Sequence, residues 1–217
     1  KSSAGYIKLG WEPFARKKIN IRPVLSSLIP IKKLQRYSLT RKLRKSKAGL
    51  SFTDHMTETL AIELAEYCAG RYPANQVGLF KDKRFWMYRY AAPHQDYRFI
   101  VLKVGPATTG YACYMESVGS RNGMRHVKLL DISALTDACF DLLISAIETR
   151  TYSKLMLAYM SSPATTEARR IGRRFRIVKY EHCNNASDNI LVKPICTETD
   201  VTGPHAWGLS YIDIDSM

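Results

Sequence analysis

The sequence predicts an α/β fold built on a mixed central sheet flanked by helices, and three observations point to it. An amphipathic helical pattern after residue 53 is followed by three short strand patterns separated by glycine turns. An apolar run at Lys154–Met160 lies between two further helical patterns, the setting of a buried parallel strand. Of the 217 residues, 46% are hydrophobic and 11% aromatic, enough for a full core. The order is helix, three antiparallel strands, helix, strand, helix, strands, which is not the strict alternation of a doubly wound fold.

Taken in order, residues 1–24 read as a strand-like piece. Gly10-Trp11 is a turn signal, and Lys18-Ile19-Asn20-Ile21-Arg22 alternates before Pro23 stops it. Such a piece is too short to fold alone, and the next 30 residues offer no obvious partner. Residues 31–50 hold eight bases and no acid. They are expected to be a solvated basic linker, with Leu34, Leu39, Leu43 and Leu50 giving a weak helical stripe. The first clear helix starts from Thr53 or Asp54, buries Leu60, Ala61, Leu64, Ala65 and Cys68, and ends at Gly70 and Pro73. Residues 80–97 are dense in aromatics and broken by Pro93. Strands follow at Arg98–Val104, Tyr111–Glu116 and His126–Ile132, with Gly105-Pro106 and Gly119…Gly123 as hairpin links. Asp131 or Ser133 is expected to open a helix that runs to Thr149. After the Lys154–Met160 strand come a helix at Thr165–Arg173 and strands at Phe175–Tyr180, Asn189–Val192 and Trp207–Ile214.

Charge is unevenly placed. Residues 1–50 hold 14 Lys/Arg against the single acid Glu12, while the remaining 19 bases face 18 acids. The basicity belongs to the N-terminal segment, not to the body. The five cysteines, Cys68, Cys113, Cys139, Cys183 and Cys196, form no C-x-x-C pair and fit reduced thiols in a cytoplasmic protein. No apolar run approaches the roughly 18–20 residues that span a bilayer. A chain beginning at Lys1 with no secretory pattern is expected to be trimmed or fragmentary.

Three stretches carry a family resemblance. Phe85-Trp86-Met87-Tyr88-Arg89-Tyr90, followed by Pro93-His94 and Tyr97, resembles a W-R-Y…H-P…Y segment with Pro and His inverted. Val127-Lys128-Leu129-Leu130-Asp131-Ile132 resembles a strand leading into a cofactor helix. Trp207–Asp215 resembles a closing W…D-x-D strand. Their order is that of the GNAT acyltransferase fold, in particular the bacterial GNAT-like proteins linked to polysaccharide biosynthesis, distant relatives of the Fem-type transferases. A fourth stretch, Gly5-Tyr6-Ile7-Lys8-Leu9-Gly10-Trp11, resembles the GNAT Y-x-K-x-G-F element. The resemblance implies that residues 1–30 are the tail of a preceding GNAT-like copy, 31–50 the linker and 51–217 a GNAT-like domain.

The resemblance further implies an acyl-CoA-dependent N-acyltransferase, or its acceptor-side half, acting on an amine of a sugar or cell-envelope precursor. Acetyl-CoA or another acyl-CoA would be the donor. Tyr6 would protonate the departing thiolate, and Ser133, Arg170 and Arg173 would meet the cofactor. The alternative is a non-catalytic GNAT-like module that binds a partner or pairs with an upstream copy or with itself. Two departures favour it: residues 133–138 contain no glycine, and Arg170 stands where the acid Tyr would be.

From the residues alone, Trp86, Tyr88, Arg89 and Tyr90 suit an acceptor groove, since aromatics stack on sugars and Arg binds carboxylate or phosphate. Their alternation would place Trp86, Tyr88 and Tyr90 on one face. Core packing explains the same residues. His94 and Glu116 are candidate bases. Asp213 and Asp215, and the set His182, Cys183, Cys196 and His205, carry metal-type donors in no familiar spacing. The 31–50 run suits an anionic surface, though it is poor in aromatics for stacking on single strands.

Overall fold

Local sequence sets most helix starts. Thr57 caps α2 (Glu58–Cys68) by accepting from the Leu60 amide, and Asp82 caps α3 (Lys83–Tyr90) by accepting from the Phe85 amide at 2.7 Å. Thr136 caps α4 (Asp137–Arg150) in the same way, through the Cys139 amide. Ahead of these, α1 (Ile29–Ser46) runs through the stretch expected to be a linker. Its inner stripe explains the difference. Leu39 is buried, and buried Lys32 donates to the Thr151 carbonyl at 3.2 Å and lies over the Tyr152 ring. The fifth helix is α5 (Thr166–Arg174).

The computed structural model describes residues 12–16, 18–24, 29–69, 71, 81–91, 96–118, 123–160, 166–178 and 189–192. The strands are β1 (Glu12–Arg16), β2 (Lys18–Pro23), β3 (Ala48–Thr53), β4 (Tyr97–Val104), β5 (Ala107–Val118), β6 (Arg125–Ala134), β7 (Leu155–Met160), β8 (Arg176–Val178) and β9 (Asn189–Val192). The chain forms two units, and β2 and β7 contribute residues to both.

In the larger unit the strands run β3-β4-β5-β6-β7. The first four are antiparallel neighbours. The positive φ of Gly105, ahead of Pro106, closes the β4–β5 hairpin. The Lys154 amide donates to the Arg125 carbonyl, so β6 and β7 start at the same end and run parallel. The α4 crossover between them makes that pairing possible, and the sheet is mixed. Tyr111 of β5 touches Tyr67 of α2 and Trp86 of α3. A side chain at its neighbour Gly110 would instead meet Leu143 of α4. Thus α2 and α3 cover one face and α4 the other, with α1 packed on α4 and β3.

The smaller unit supplies the partners that the N-terminal strands lack in nearby sequence. β2 pairs with β8 through Ile19↔Val178 and Ile21↔Arg176, and β1 pairs with β9. Buried Asn20 donates from Nδ2 to the Ala158 carbonyl at 3.3 Å. The final strand expected at Trp207–Ile214 lies outside the described residues.

Candidate functional site

One polar cluster sits inside the larger unit, on the face covered by α2 and α3. It begins at an irregularity in β6. Cys113 pairs with Asp131 and Tyr114 with Leu129, so Leu130 is an extra residue in the ladder. A bulge of this kind re-aims neighbouring side chains and frees backbone groups, and bulges concentrate near functional sites. The next residue, Asp131, is buried between the apolar Leu129, Leu130 and Ile132 of the strand. Lys81 Nζ lies 2.7 Å from Asp131 Oδ2, with the two side chains only 6% and 5% exposed. Lys81 reaches this point because Asp82, the next residue, caps α3 and fixes the entry of the chain.

Tyr111 donates its phenol proton to the same carboxylate oxygen at 2.7 Å, and the Cys68 thiol donates to the Tyr111 oxygen at 3.7 Å. Burial pushes the Tyr111 phenol well above its usual range, and the Asp131 charge adds to this. Burial also pushes the Cys68 thiol up to about 11 and the Cys113 thiol well up. All three keep their protons at physiological pH. At the rim, Arg71 bonds to the Tyr67 hydroxyl and to the Ala134 carbonyl at 3.2 Å.

The aromatic run forms the cover of this cluster. Because residues 83–90 are helical, the expected alternating face does not form. Trp86 and Tyr90, one helical turn apart, are buried and stack at 5.5 Å, whereas Tyr88 is 91% exposed. Arg89 is half-buried and close enough for its charge to act on Tyr90 and Cys113. Among the described residues the buried Trp86 Nε1 and Tyr90 hydroxyl have no hydrogen-bond partner. The Cys113 thiol is near that hydroxyl and couples to it, but the pair lacks proper bond geometry.

Other expected site residues fall elsewhere. Glu116 lies on the α4 face, accepting from Arg98 at 2.7 Å and Ser153 at 3.2 Å. Ser133 does not open a helix. It sits in β6 opposite Tyr111, and the strand continues to Ala134. The helix begins only at Asp137, because Leu135 is tied by its amide to the Thr109 carbonyl at 2.9 Å and Thr136 provides the cap. That first turn carries Asp137 and no glycine, which opposes an anion at the helix start. Arg170 and Arg173 belong to α5 of the other unit, the first buried with Glu167 3.9 Å away and the second exposed. Tyr6 and His94 lie outside the described residues, as do Asp213, Asp215, His182, Cys183, Cys196 and His205. Among the described residues no cluster of metal-type donors forms.

The motifs did not single out Lys81 and Tyr111, and Asp131 entered only within the strand resembling the one that leads into a cofactor helix and as a helix opener. The available signal was a lone acid inside Leu129-Leu130-Asp131-Ile132, which needs a buried partner.

No family model matches the sequence, and no curated protein does. Solved structures do resemble the fold. A conserved Enterococcus faecalis protein of unknown function, described as a probable N-acyltransferase, superimposes with a TM-score of 0.50 at 10% identity, covering 74% of this chain and 36% of its own. A conserved Bacteroides thetaiotaomicron protein of unknown function gives a TM-score of 0.51 at 12% identity, covering 77% of this chain and 57% of its own. The chain thus spans between a third and three-fifths of these neighbours. The fold class is α/β with a GNAT-like mixed sheet.

Proposed function

We propose that this chain is an N-acyltransferase, or its acceptor-side half, that moves an acyl group from a CoA-type donor to an amine of a sugar or cell-envelope precursor. The carrying observation is the buried Lys81–Asp131 pair, bonded to Tyr111, beside the β6 bulge. Asp131 takes a proton from the attacking amine, and the contact with Lys81 Nζ at 2.7 Å holds the carboxylate in place. The amine nitrogen bonds to the thioester carbonyl carbon, and backbone amides of the strand at the β6 bulge hold the oxyanion. The carbon–sulfur bond then breaks, and the thiolate leaves with the proton that Asp131 took from the amine. Trp86 Nε1 and the Tyr90 hydroxyl, which have no hydrogen-bond partner among the described residues, serve the acceptor.

The test is release of free CoA from acetyl-CoA and a longer acyl-CoA with amino-sugar acceptors. Turnover should fall by at least a hundredfold in Asp131→Asn with the fold intact. A folded wild-type chain that releases no thiol with any pair would overturn the reading.

A second reading, a non-catalytic module that binds a partner, is favoured by the start of α4. Thr136 and Asp137 occupy the place where a phosphate cradle would need open amides. Calorimetry separates the two: micromolar acyl-CoA binding supports the enzyme, and its absence supports the module.

A further inference from the structure

The solvent face of α1 has a chemistry that the acyl-transfer reading does not use. The helix is 18 residues long and contains no acid. Its inner stripe, including Lys32 and Leu39, is fixed against the larger unit. Outside, Lys33, Arg36, Arg41, Lys42, Arg44 and Lys45 are all exposed. Among the described residues none of these six is in an ion pair. Leu34 and Tyr37 lie on the same outer face and are each 69% exposed. Leu34, Tyr37, Arg41 and Lys45 follow one another at spacings of three and four, so they form one line along the helix.

We propose that this face docks flat on an anionic phospholipid surface. The six cations supply charge complementarity to phosphate headgroups, a long-range attraction that salt weakens. Leu34 and Tyr37, towards the N-terminal end of the cationic stripe, enter the boundary between headgroups and acyl chains, where a tyrosine keeps its hydroxyl wet. Leu34 decides between polyanions: an aliphatic side chain gains by burial in a lipid boundary and gains little along a phosphodiester backbone. Because the inner stripe is already packed, the docking face is formed before contact and no segment has to fold on binding. With two apolar anchors the attachment is reversible and depends on anionic lipid.

The experiment is flotation of the full chain with phosphatidylcholine vesicles, with and without added phosphatidylglycerol. Binding is expected only with phosphatidylglycerol, and should weaken as salt rises. At about fivefold per charge, the triple variant Arg41→Gln, Arg44→Gln, Lys45→Gln should lose on the order of a hundredfold. The double variant Leu34→Ser, Tyr37→Ser should lose severalfold and keep its salt dependence. All substituted side chains are exposed, and thermal melting should show both variants folded. The proposal is overturned if the folded chain does not float with anionic vesicles, or floats equally with neutral ones. It is also overturned if the charge variant binds unchanged. A double variant that binds like the parent, with a duplex oligonucleotide bound more tightly than the vesicles, would assign the face to nucleic acid instead.

Discussion

At the scale of single residues, the Lys81–Asp131 pair is the most consequential contact. Two charges that exclude water need each other, and removing one leaves the other stranded. Lys81→Met or Asp131→Asn is therefore expected to cost about 3–5 kcal/mol in urea unfolding. A loss below about 1 kcal/mol would show that the pair is hydrated in solution. The protons of this core give a pH signature. Burial raises the Cys68 thiol from 9.0 to about 11, and Tyr90, Tyr111 and Cys113 shift the same way for the same reason. A raised folded-state value means that the folded chain holds protons the unfolded chain releases. The stability this supplies is fully present below pH 9.0 and is lost as the pH climbs through about 11. Denaturation midpoints should fall steadily across that window. A chain equally stable at both ends would contradict the neutral, buried thiol.

At the scale of elements, two positions hold β5, β6 and α4 together. An added Cβ at Gly110 would lie 2.9 Å from the Ser133 carbonyl oxygen and 3.1 Å from Leu143 Cδ1. Since the first neighbour is backbone, it cannot swing aside, and Gly110→Ala should destabilise by about 1–3 kcal/mol in chemical denaturation. Thr136→Ala, which removes the cap of α4, should cost about 1 kcal/mol and leave the spectrum of the folded state unchanged. The elements also show what sequence could reveal. α2 was legible because Leu60, Ala61, Leu64 and Cys68 repeat at helical spacing and are the residues buried. α3 was not, because Trp86-Met87-Tyr88-Arg89-Tyr90 alternates large aromatics as a strand would. Only the cap at Asp82, three residues before Phe85, signalled a helix. α1 read as a linker because its charges are local and visible, whereas the packing that orders it comes from α4, about a hundred residues further on. The candidate site was half legible. Trp86 and Tyr90 stood out by composition, but Lys81, Tyr111 and Asp131 meet only through topology, across separations of 50 and 20 residues.

At the scale of the whole molecule, the N-terminal strands are integral to the sheet pairings. β8 depends on β2 as its partner, and Asn20 satisfies the Ala158 carbonyl. A chain beginning at residue 25 should therefore expose strand edges and elute as aggregates or show no cooperative melt. A monomeric, cooperatively melting product would show these pairings to be dispensable. The same pairing has a consequence for biosynthesis. Asn20 and its carbonyl partner are 138 residues apart. At about 5–20 residues per second, the ribosome delivers that partner on the order of ten seconds after the strand has emerged. During that interval β2 lacks its strand partner β8. A holding chaperone that engages this segment would act in that interval, before the last strands of the sheet leave the exit tunnel.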